Sequence, residues 1–200
     1  MEALGRDSIY GLLLHDGNDL LGPRGSRLWS ALEELKSSGR VRKIGVSVYE
    51  PQEVDRVLDE YPVDIIQLPF NAVDTRLVTG GQLDRVKLAG VEIHARSIFL
   101  QGLLLARADD IPSRLAPIRS AVEQLDRAFD DRGLSRLEGL LGLMFEHSEV
   151  DRFIIGVTSR DELQAILDAA DRARQAGAAP VQLPTIDPRY LNPARWHELT

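Results

Sequence analysis

The feature of this chain that most constrains its fold is a repeated unit, in which an apolar run of strand length is followed by a segment with helical spacing of apolar residues. Five such runs occur, and each ends in polar or small residues; they lie at about residues 9–15, 41–48, 64–68, 91–97 and 152–157. This alternation predicts parallel strands joined by right-handed βαβ connections. Buried parallel strands present polar side chains at their carboxyl ends, so we expect the functional residues there.

The segments between the predicted strands carry helix patterns. We expect helices at about residues 26–38 and 82–89, and two helices between the fourth and fifth strands. A further helix has Pro51 near its first turn and is marked by Val54, Val57, Leu58 and Tyr61. The apolar stripes of those two helices and of the helix after the fifth strand are Ile118, Val122, Leu125 and Phe129; Leu137, Leu140, Leu141 and Met144; and Leu163, Ile166, Leu167 and Ala170. Residues 16–25 are predicted to be loop. We expect one domain over residues 1–200, in which the proline-rich residues 180–200 form a surface tail.

Composition and charge argue against several classes of function. The chain of 200 residues has a formal net charge of -7, which argues against binding a nucleic-acid backbone, because such binding rests on clustered Lys and Arg. The absence of Cys excludes disulfides and thiolate zinc sites. No apolar run approaches the roughly 20 residues of a membrane helix, and the first residues lack a secretory signal pattern. We therefore expect a cytoplasmic protein with neither nucleic-acid nor membrane partners.

Two parallel α/β architectures fit the alternation, a doubly wound sheet and a (β/α)8 barrel. A dinucleotide-binding sheet usually has a G-x-G-x-x-G motif after its first strand, and this chain has none. A barrel usually needs about 250 residues and eight strands, whereas the pattern predicts five. Met1–Arg6 resembles the last turn of a helix that ends at a Gly, so we expect that a segment upstream of Met1 is missing.

Five segments together resemble the aldo-keto reductase family. They are the apolar strand that ends at His15, residues 39–47, residues 65–67 with Asn71 beyond them, residues 95–104 and residues 155–163. The resemblance runs from about Leu4 to Trp196 and corresponds to strands four to eight of the family's barrel. It implies an α/β fold of the TIM (β/α)8-barrel type, incomplete as given, with about five βα units.

The resemblance also implies a chemistry, which is hydride transfer between NADPH, less often NADH, and a small-molecule carbonyl substrate. The family's catalytic Asp, Tyr and Lys have no counterpart in this chain, and His15 matches the remaining catalytic residue, which hydrogen-bonds the substrate oxygen. Hydride delivery builds an alkoxide, so the site needs a donor over that oxygen. From the residues alone, the alternative for His15 is a strand-end histidine that bonds to Asp16 or to the backbone.

By the same resemblance, the nicotinamide end of the cofactor meets two strand ends. Ser47 and Gln67 match the family's contacts to the carboxamide group. Val48 stands where many members have Asn, so one carboxamide hydrogen bond is in doubt. The alternative is that Ser47 and Gln67 are ordinary polar residues at strand ends.

A third strand end carries Arg96, which stands where a Tyr commonly stacks on the nicotinamide. A planar guanidinium can stack there instead, or it can pair with Glu92. Alternation along the fourth strand places Glu92, His94 and Arg96 on one face, so a charged cluster inside the barrel is an equal alternative.

Two later segments match the family's contacts to the phosphates and the adenosine. The first passes the pyrophosphate and contributes Ser97, Phe99, Gln101 and Gly102. The second leads into a helix and contributes Gly156, Thr158, Ser159, Arg160 and Glu162. A helix N-terminus attracts anions, so Arg160 is a candidate for a ribose 2′-phosphate, and the alternative is a simple N-cap by Thr158 or Ser159. Ile166 stands where members often have an Asn that contacts adenine.

These residues lead to one functional prediction, with alternatives from other classes. We expect an NAD(P)H-dependent oxidoreductase of aldo-keto reductase type that uses NADP(H), or NAD(H), and whose 200 residues alone are inactive or very weak. One alternative is a non-catalytic cofactor-binding or protein-interaction module derived from that family. Another is an oligomer in which a second chain supplies the missing units. The open edges of a five-stranded sheet also predict self-association.

Overall fold

The chain forms two compact units in the computed structural model, which describes residues 5–179 and 181–199. The first unit contains the described residues up to Pro69, with Arg76–Arg96 and Glu149–Phe153. The second unit contains Phe70–Thr75, Ser97–Ser148 and the described residues from Ile154 onward. The helix end predicted at Met1–Arg6 begins in residues 1–4, outside the described residues. The prediction of one domain with a tail stays a prediction.

A parallel sheet of five strands organises the first unit. The strands follow chain order and are β1 (Ile9–Leu14), β2 (Val41–Ser47), β3 (Ile65–Pro69), β4 (Glu92–Arg96) and β5 (Arg152–Phe153). Every neighbouring pair is parallel, so each connection has to cross back along the sheet, which usually requires a helix. The predicted parallel α/β fold is confirmed.

Helices occupy the connections of the first unit. In its described residues they are α1 (Gly17–Leu21), α2 (Gly25–Ser37), α3 (Pro51–Glu60), α4 (Arg76–Thr79) and α5 (Gln82–Leu88). The predicted α2, α3 and α5 are confirmed to within a few residues at their ends. Helix α3 starts at Pro51 because proline suits a first turn, and because the Glu53 carboxylate accepts hydrogen bonds from the backbone N–H groups of Tyr49 and Glu50.

The prediction of loop over residues 16–25 is wrong in part, because α1 lies within it. The Asp16 carboxylate caps this helix by accepting a hydrogen bond of 2.9 Å from the backbone N–H of Asn18. Leu20 is fully buried and anchors the helix to the core. A helix of 5 residues is too short to show helical spacing in the sequence, so one cap and one buried contact decide its structure.

The fifth strand is shorter than the predicted residues 152–157, because its ladder consists of Arg152 and Phe153 alone. These two residues pair with His94 and Ala95, and β4 ends one residue later. A strand with a single neighbour loses its hydrogen bonds where that neighbour ends. Ile154, which the pattern placed inside the strand, is consequently 41% exposed.

The core of the first unit consists of apolar side chains from the inner strands and from α3 and α5. Its fully buried members include Val46, Val54, Val57, Ile65, Ile66, Leu68, Val86 and Ile93. Burial of each such side chain contributes about 1.5–3 kcal/mol. Gly45 allows β2 and β3 to approach, since a Cβ at this position would lie only 1.9 Å from the carbonyl oxygen of Ile65.

The second unit is built mainly from helices. They are α6 (Ala116–Asp130), α7 (Arg136–Phe145), α8 (Arg160–Ala176) and α9 (Pro188–Leu191), with 3₁₀ turns at Leu103–Leu105, Ala108–Asp110, Ser113–Leu115 and Pro193–Glu198. The stripe predicted for α6 is confirmed, because all four of its apolar side chains are buried. Ile186 and Leu191, from the segment predicted to be a tail, belong to the same buried cluster.

Helix α8 buries a different face from the one that its leucines predict. Ala169, Ala170 and Ala173 are buried, whereas Leu163 and Leu167 are 41% and 52% exposed. Small side chains let α8 approach α7 closely, so alanine rather than leucine fills this contact. Within the part of the chain that the structure describes, no helix is long and apolar enough to cross a membrane.

Candidate active site

The register of the parallel sheet brings the polar strand ends to one edge. Ser47 pairs with Gln67, and Pro69 pairs with Arg96. His15 directly follows the last residue of β1. Because the carboxyl ends of parallel strands lie at the same edge, the structure places these four predicted residues of the first unit along one edge of the sheet. That they bind a cofactor or substrate stays a prediction.

Three consecutive residues, the last of β2 and the two that follow it, hold the guanidinium of Arg96. Its Nε donates a hydrogen bond to Oγ of Ser47 at 3.3 Å, and its Nη2 donates to the carbonyl oxygen of Val48 at 3.1 Å. Its Cζ lies 4.2 Å from the centroid of the Tyr49 ring, close enough for attraction between a cation and an aromatic face. Burial lowers the pKa of Arg96, but an arginine keeps its charge at neutral pH. A fixed cation therefore stands at the end of β4.

The alternative that pairs Arg96 with Glu92 is wrong. The two residues are four positions apart on one strand, which corresponds to about 13 Å at the usual rise per residue. Each side chain has closer partners at its own end of β4. The charged cluster predicted on this face therefore forms around Glu92 and His94, without Arg96.

A buried polar cluster surrounds Glu92 at the amino end of β4. Its Oε2 accepts hydrogen bonds from the Tyr10 hydroxyl and from Nζ of Lys43, each at 2.6 Å. Its Oε1 accepts from Nε of Arg152 and lies 3.0 Å from Nε2 of His94. Burial by itself raises the pKa of Glu92, but the hydrogen bonds from Lys43, Tyr10 and His94 outweigh it and hold this pKa well below its usual range.

His15 is exposed beyond the end of β1. The proposed partner Asp16 is engaged elsewhere, because its Oδ1 accepts from both the backbone and the side-chain nitrogen of Asn18. Among the hydrogen bonds of the described residues, none joins His15 to Asp16. The imidazole is therefore open to a ligand from solvent.

In the second unit, the segment that follows β4 has an unusual backbone. Ser97, Leu100 and Gln101 have positive φ angles of 59°, 45° and 54°, and Gly102 follows with 84°. Side chains other than glycine rarely adopt this conformation, which costs of order 1–3 kcal/mol per residue. Buried Ile98 and Leu100 hold the segment in place. Strained backbone of this kind often occurs at ligand sites.

The second predicted phosphate segment forms the start of α8. Ser159 is the N-cap, and its Oγ accepts a hydrogen bond of 3.1 Å from the backbone N–H of Glu162. The Glu162 carboxylate accepts from the backbone N–H and the hydroxyl of Thr158, and these bonds lower the pKa of Glu162. The N-cap alternative for Ser159 is therefore confirmed as local structure. Arg160 is exposed at the first turn, and Gly156 lies just before the segment.

Sequence reasoning missed the role of Tyr49. Its ring lies against the Arg96 guanidinium, a contact that the sequence pattern does not predict. The sequence feature that could have indicated this contact is an aromatic residue two positions after Ser47, together with a cation at the end of another strand of the same sheet. In the described ranges 5–179 and 181–199, no group of three or more His, Asp or Glu residues could hold a metal ion.

Comparison with known proteins identifies the family. The model of the aldo/keto reductase family matches residues 4–175, so the chain belongs to this family. The structure is similar to an aldo-keto reductase from Bacillus halodurans, with TM-scores of 0.68 for its holo form and 0.71 for its apo form, at 20% and 22% identity. A thermostable aldo-keto reductase in complex with the inhibitor epalrestat has a TM-score of 0.63 at 18% identity. No curated protein sequence matches this chain.

The similarity extends over most of this chain but over less of the related structures. Alignment with the Bacillus halodurans protein covers 90% of this chain and 63% or 66% of the other. For the epalrestat complex the shares are 88% and 62%. The chain thus spans less than two thirds of the length of each of these related structures, and the shared fold is the barrel type predicted from the sequence.

The Glu92 cluster makes a prediction about stability and pH. Because the pKa of Glu92 is lower in the folded chain than its value of 4.5 in the unfolded chain, its contribution is complete above about pH 5 and decreases as the pH falls below that value. We expect Glu92→Gln to reduce the free energy of unfolding at pH 7 by about 2 kcal/mol and to lose less stability than the wild type between pH 6 and pH 3. Urea denaturation followed by circular dichroism measures both effects.

The matched control is Glu60→Gln, which removes an exposed ion pair with Arg56. Such a pair contributes about 0.5 kcal/mol or less. Equal pH dependence in the wild type and in Glu92→Gln would show that Glu92 is not a charged centre of this cluster.

Proposed function

We propose that this chain provides the cofactor-binding strands of an NAD(P)H-dependent oxidoreductase that reduces a small carbonyl compound. Membership of the aldo/keto reductase family and the fold support an oxidoreductase. The observation that carries the finer proposal is the arrangement of Ser47, Gln67 and Arg96 at one sheet edge, where Ser47 pairs with Gln67 and accepts a hydrogen bond from Arg96.

The donor set at this edge fits the nicotinamide end of the cofactor. A carboxamide needs both hydrogen-bond donors and acceptors, and the Ser47 hydroxyl and the Gln67 amide supply both kinds. The Ser47 hydroxyl oxygen accepts the hydrogen bond from Arg96. The hydroxyl proton therefore stays available to be donated to another acceptor. Val48 fits less well, because its side chain is fully buried and offers no polar group.

Two segments of the second unit fit anionic groups, each by its own features. The segment Ser97–Gly102, with Phe99 and Gln101, has positive φ angles at Ser97, Leu100, Gln101 and Gly102, and strained backbone of this kind often occurs at ligand sites. The start of α8 offers a helix N-terminus beside the exposed Arg160, with Thr158, Ser159 and Glu162 fixing its first turn. Ile166 offers adenine no hydrogen bond, so adenine recognition rests on other residues.

The chemistry that the cofactor supplies when bound is hydride transfer. The role proposed for His15 is to hold the substrate oxygen and to stabilise the charge that develops on it. Tyr49, the tyrosine at this edge, stacks on Arg96, and Lys43 is engaged with Glu92, so the described residues provide no tyrosine–lysine pair here. This observation also favours the alternative function, a non-catalytic cofactor-binding or interaction module.

The first prediction of this proposal concerns Arg160. If it binds the 2′-phosphate, NADPH binds about ten- to a hundredfold more tightly than NADH, because a charge-assisted hydrogen bond contributes about 1.5–3 kcal/mol. Arg160→Ala should abolish this preference, and isothermal titration calorimetry with both cofactors measures it. Arg174→Ala, on the same helix but paired with Asp171, is the control that should keep the preference. Equal affinities in the wild type would exclude the assignment.

The second prediction concerns catalysis by the 200 residues alone. General acid catalysis typically contributes about 10²- to 10⁴-fold, so without the family's tyrosine the chain should reduce model aldehydes at least about a hundredfold more slowly than a complete family member. Steady-state NADPH oxidation measures the rate. His15→Ala should abolish it, and full activity that survives this substitution would show that the catalytic site lies elsewhere.

The third prediction concerns association. Strand β1 is at one edge of the described sheet and has β2 as its neighbour, and Tyr10 on it is 43% exposed. An open apolar edge invites pairing with another chain. Sedimentation at micromolar concentration should therefore detect dimers or larger species. A sharp monomer that unfolds cooperatively would count against this proposal.

The cytoplasmic location also stays a prediction.

A further inference from the structure

Contacts with three residues hold the charged guanidinium of Arg96 in place. The guanidinium makes hydrogen bonds to the Ser47 hydroxyl and to the Val48 carbonyl, and one of its faces lies on the Tyr49 ring. A side chain restrained in three directions cannot swing away when a ligand of unfavourable charge arrives. Its charge is therefore a fixed property of this strand end.

The charges around Arg96 decide how strong its field is. The Glu53 carboxylate attracts the Arg96 guanidinium electrostatically. This carboxylate also accepts hydrogen bonds from the backbone N–H groups of Tyr49 and Glu50. Glu92 is engaged at the other end of β4. Glu53 therefore offsets part of the positive field of the Arg96 guanidinium.

We propose that Arg96 makes this site selective for the reduced form of the cofactor over the oxidised form. The inference rests on the proposed function, in which the nicotinamide ring lies against Arg96. The reduced ring is neutral and the oxidised ring carries a positive charge, while all other groups of the two forms are the same. A fixed cation at the ring therefore weakens binding of the oxidised form only.

The size of the effect follows from the interaction of two unit charges. At a separation of a few ångströms in a solvent-accessible site, repulsion weakens binding by about fivefold, which corresponds to about 1 kcal/mol, and more strongly where water is excluded. Easier release of the oxidised form favours turnover in the direction of carbonyl reduction. It disfavours alcohol oxidation, which has to start from the oxidised form.

The test compares the dissociation constants of NADP⁺ and NADPH by isothermal titration calorimetry with the full 200-residue chain. The dissociation constant of NADP⁺ divided by that of NADPH should decrease about fivefold or more in Arg96→Gln. Arg96→Lys, which keeps the charge, should retain the wild-type ratio. Arg96→Tyr is a second neutral variant that can still stack on Tyr49, and it should behave like Arg96→Gln. Arg42→Gln removes the same charge from an exposed position on β2 and should leave the ratio unchanged.

The outcomes separate this inference from the proposed function. If both forms bind and their ratio is the same in the wild type, Arg96→Gln and Arg96→Tyr, the inference is overturned while cofactor binding stands. If neither form binds to the wild type, the proposed function fails and the inference fails with it. Circular dichroism verifies that each variant is folded, and agreement between the two neutral variants excludes an effect of altered packing at one of them.

Discussion

The parallel hydrogen-bond ladder between β2, β3 and β4 is the constraint on which the candidate site depends. It sets Ser47 beside Gln67 and brings the end of β4 level with the end of β3. The ladder in turn depends on Gly45, because any side chain there would overlap the Ile65 carbonyl. A shift of register by one residue would turn each of these polar side chains to the opposite face of the sheet. Site geometry and core packing are therefore fixed by the same backbone contacts.

Strand β4 separates two kinds of charge that the sequence places close together. At its amino end, Glu92 is almost fully buried and accepts hydrogen bonds from groups on β1, β2 and β5, so the cluster ties distant strands to one carboxylate. At its carboxyl end, the Arg96 guanidinium donates hydrogen bonds to the Ser47 hydroxyl and the Val48 carbonyl and lies over the Tyr49 ring. A buried carboxylate needs such donors to remain charged, whereas a guanidinium keeps its charge with carbonyl and hydroxyl partners. One end of the strand thus carries a buried carboxylate cluster, and the other carries a restrained guanidinium.

The sequence predicted the parts of the structure that depend on long repeating patterns. Strands β1 to β4, helices α2, α3 and α5 and the stripe of α6 each show enough apolar residues for their period to be recognised. Prediction from the sequence failed where a single contact decides the structure. Helix α1 depends on the Asp16 cap and on Leu20, and β5 ends where β4 leaves it without a partner. The exposed leucines of α8 show the same limit, because which face a helix buries depends on its neighbour.

Strand ends and the family resemblance named candidate residues for the site, but not the contacts between them. The roles of His15, Ser47, Gln67 and Arg96 came from that resemblance and stay predictions, whereas the partners of Arg96 depend on side-chain geometry across two strands. Val48 and Arg96 are the two positions at which the resemblance implies other residues, and they contact each other. The Val48 side chain packs into the core, and its carbonyl accepts the hydrogen bond from Arg96. The two residues therefore form one local arrangement, in which a fixed cation stands beside a buried apolar side chain.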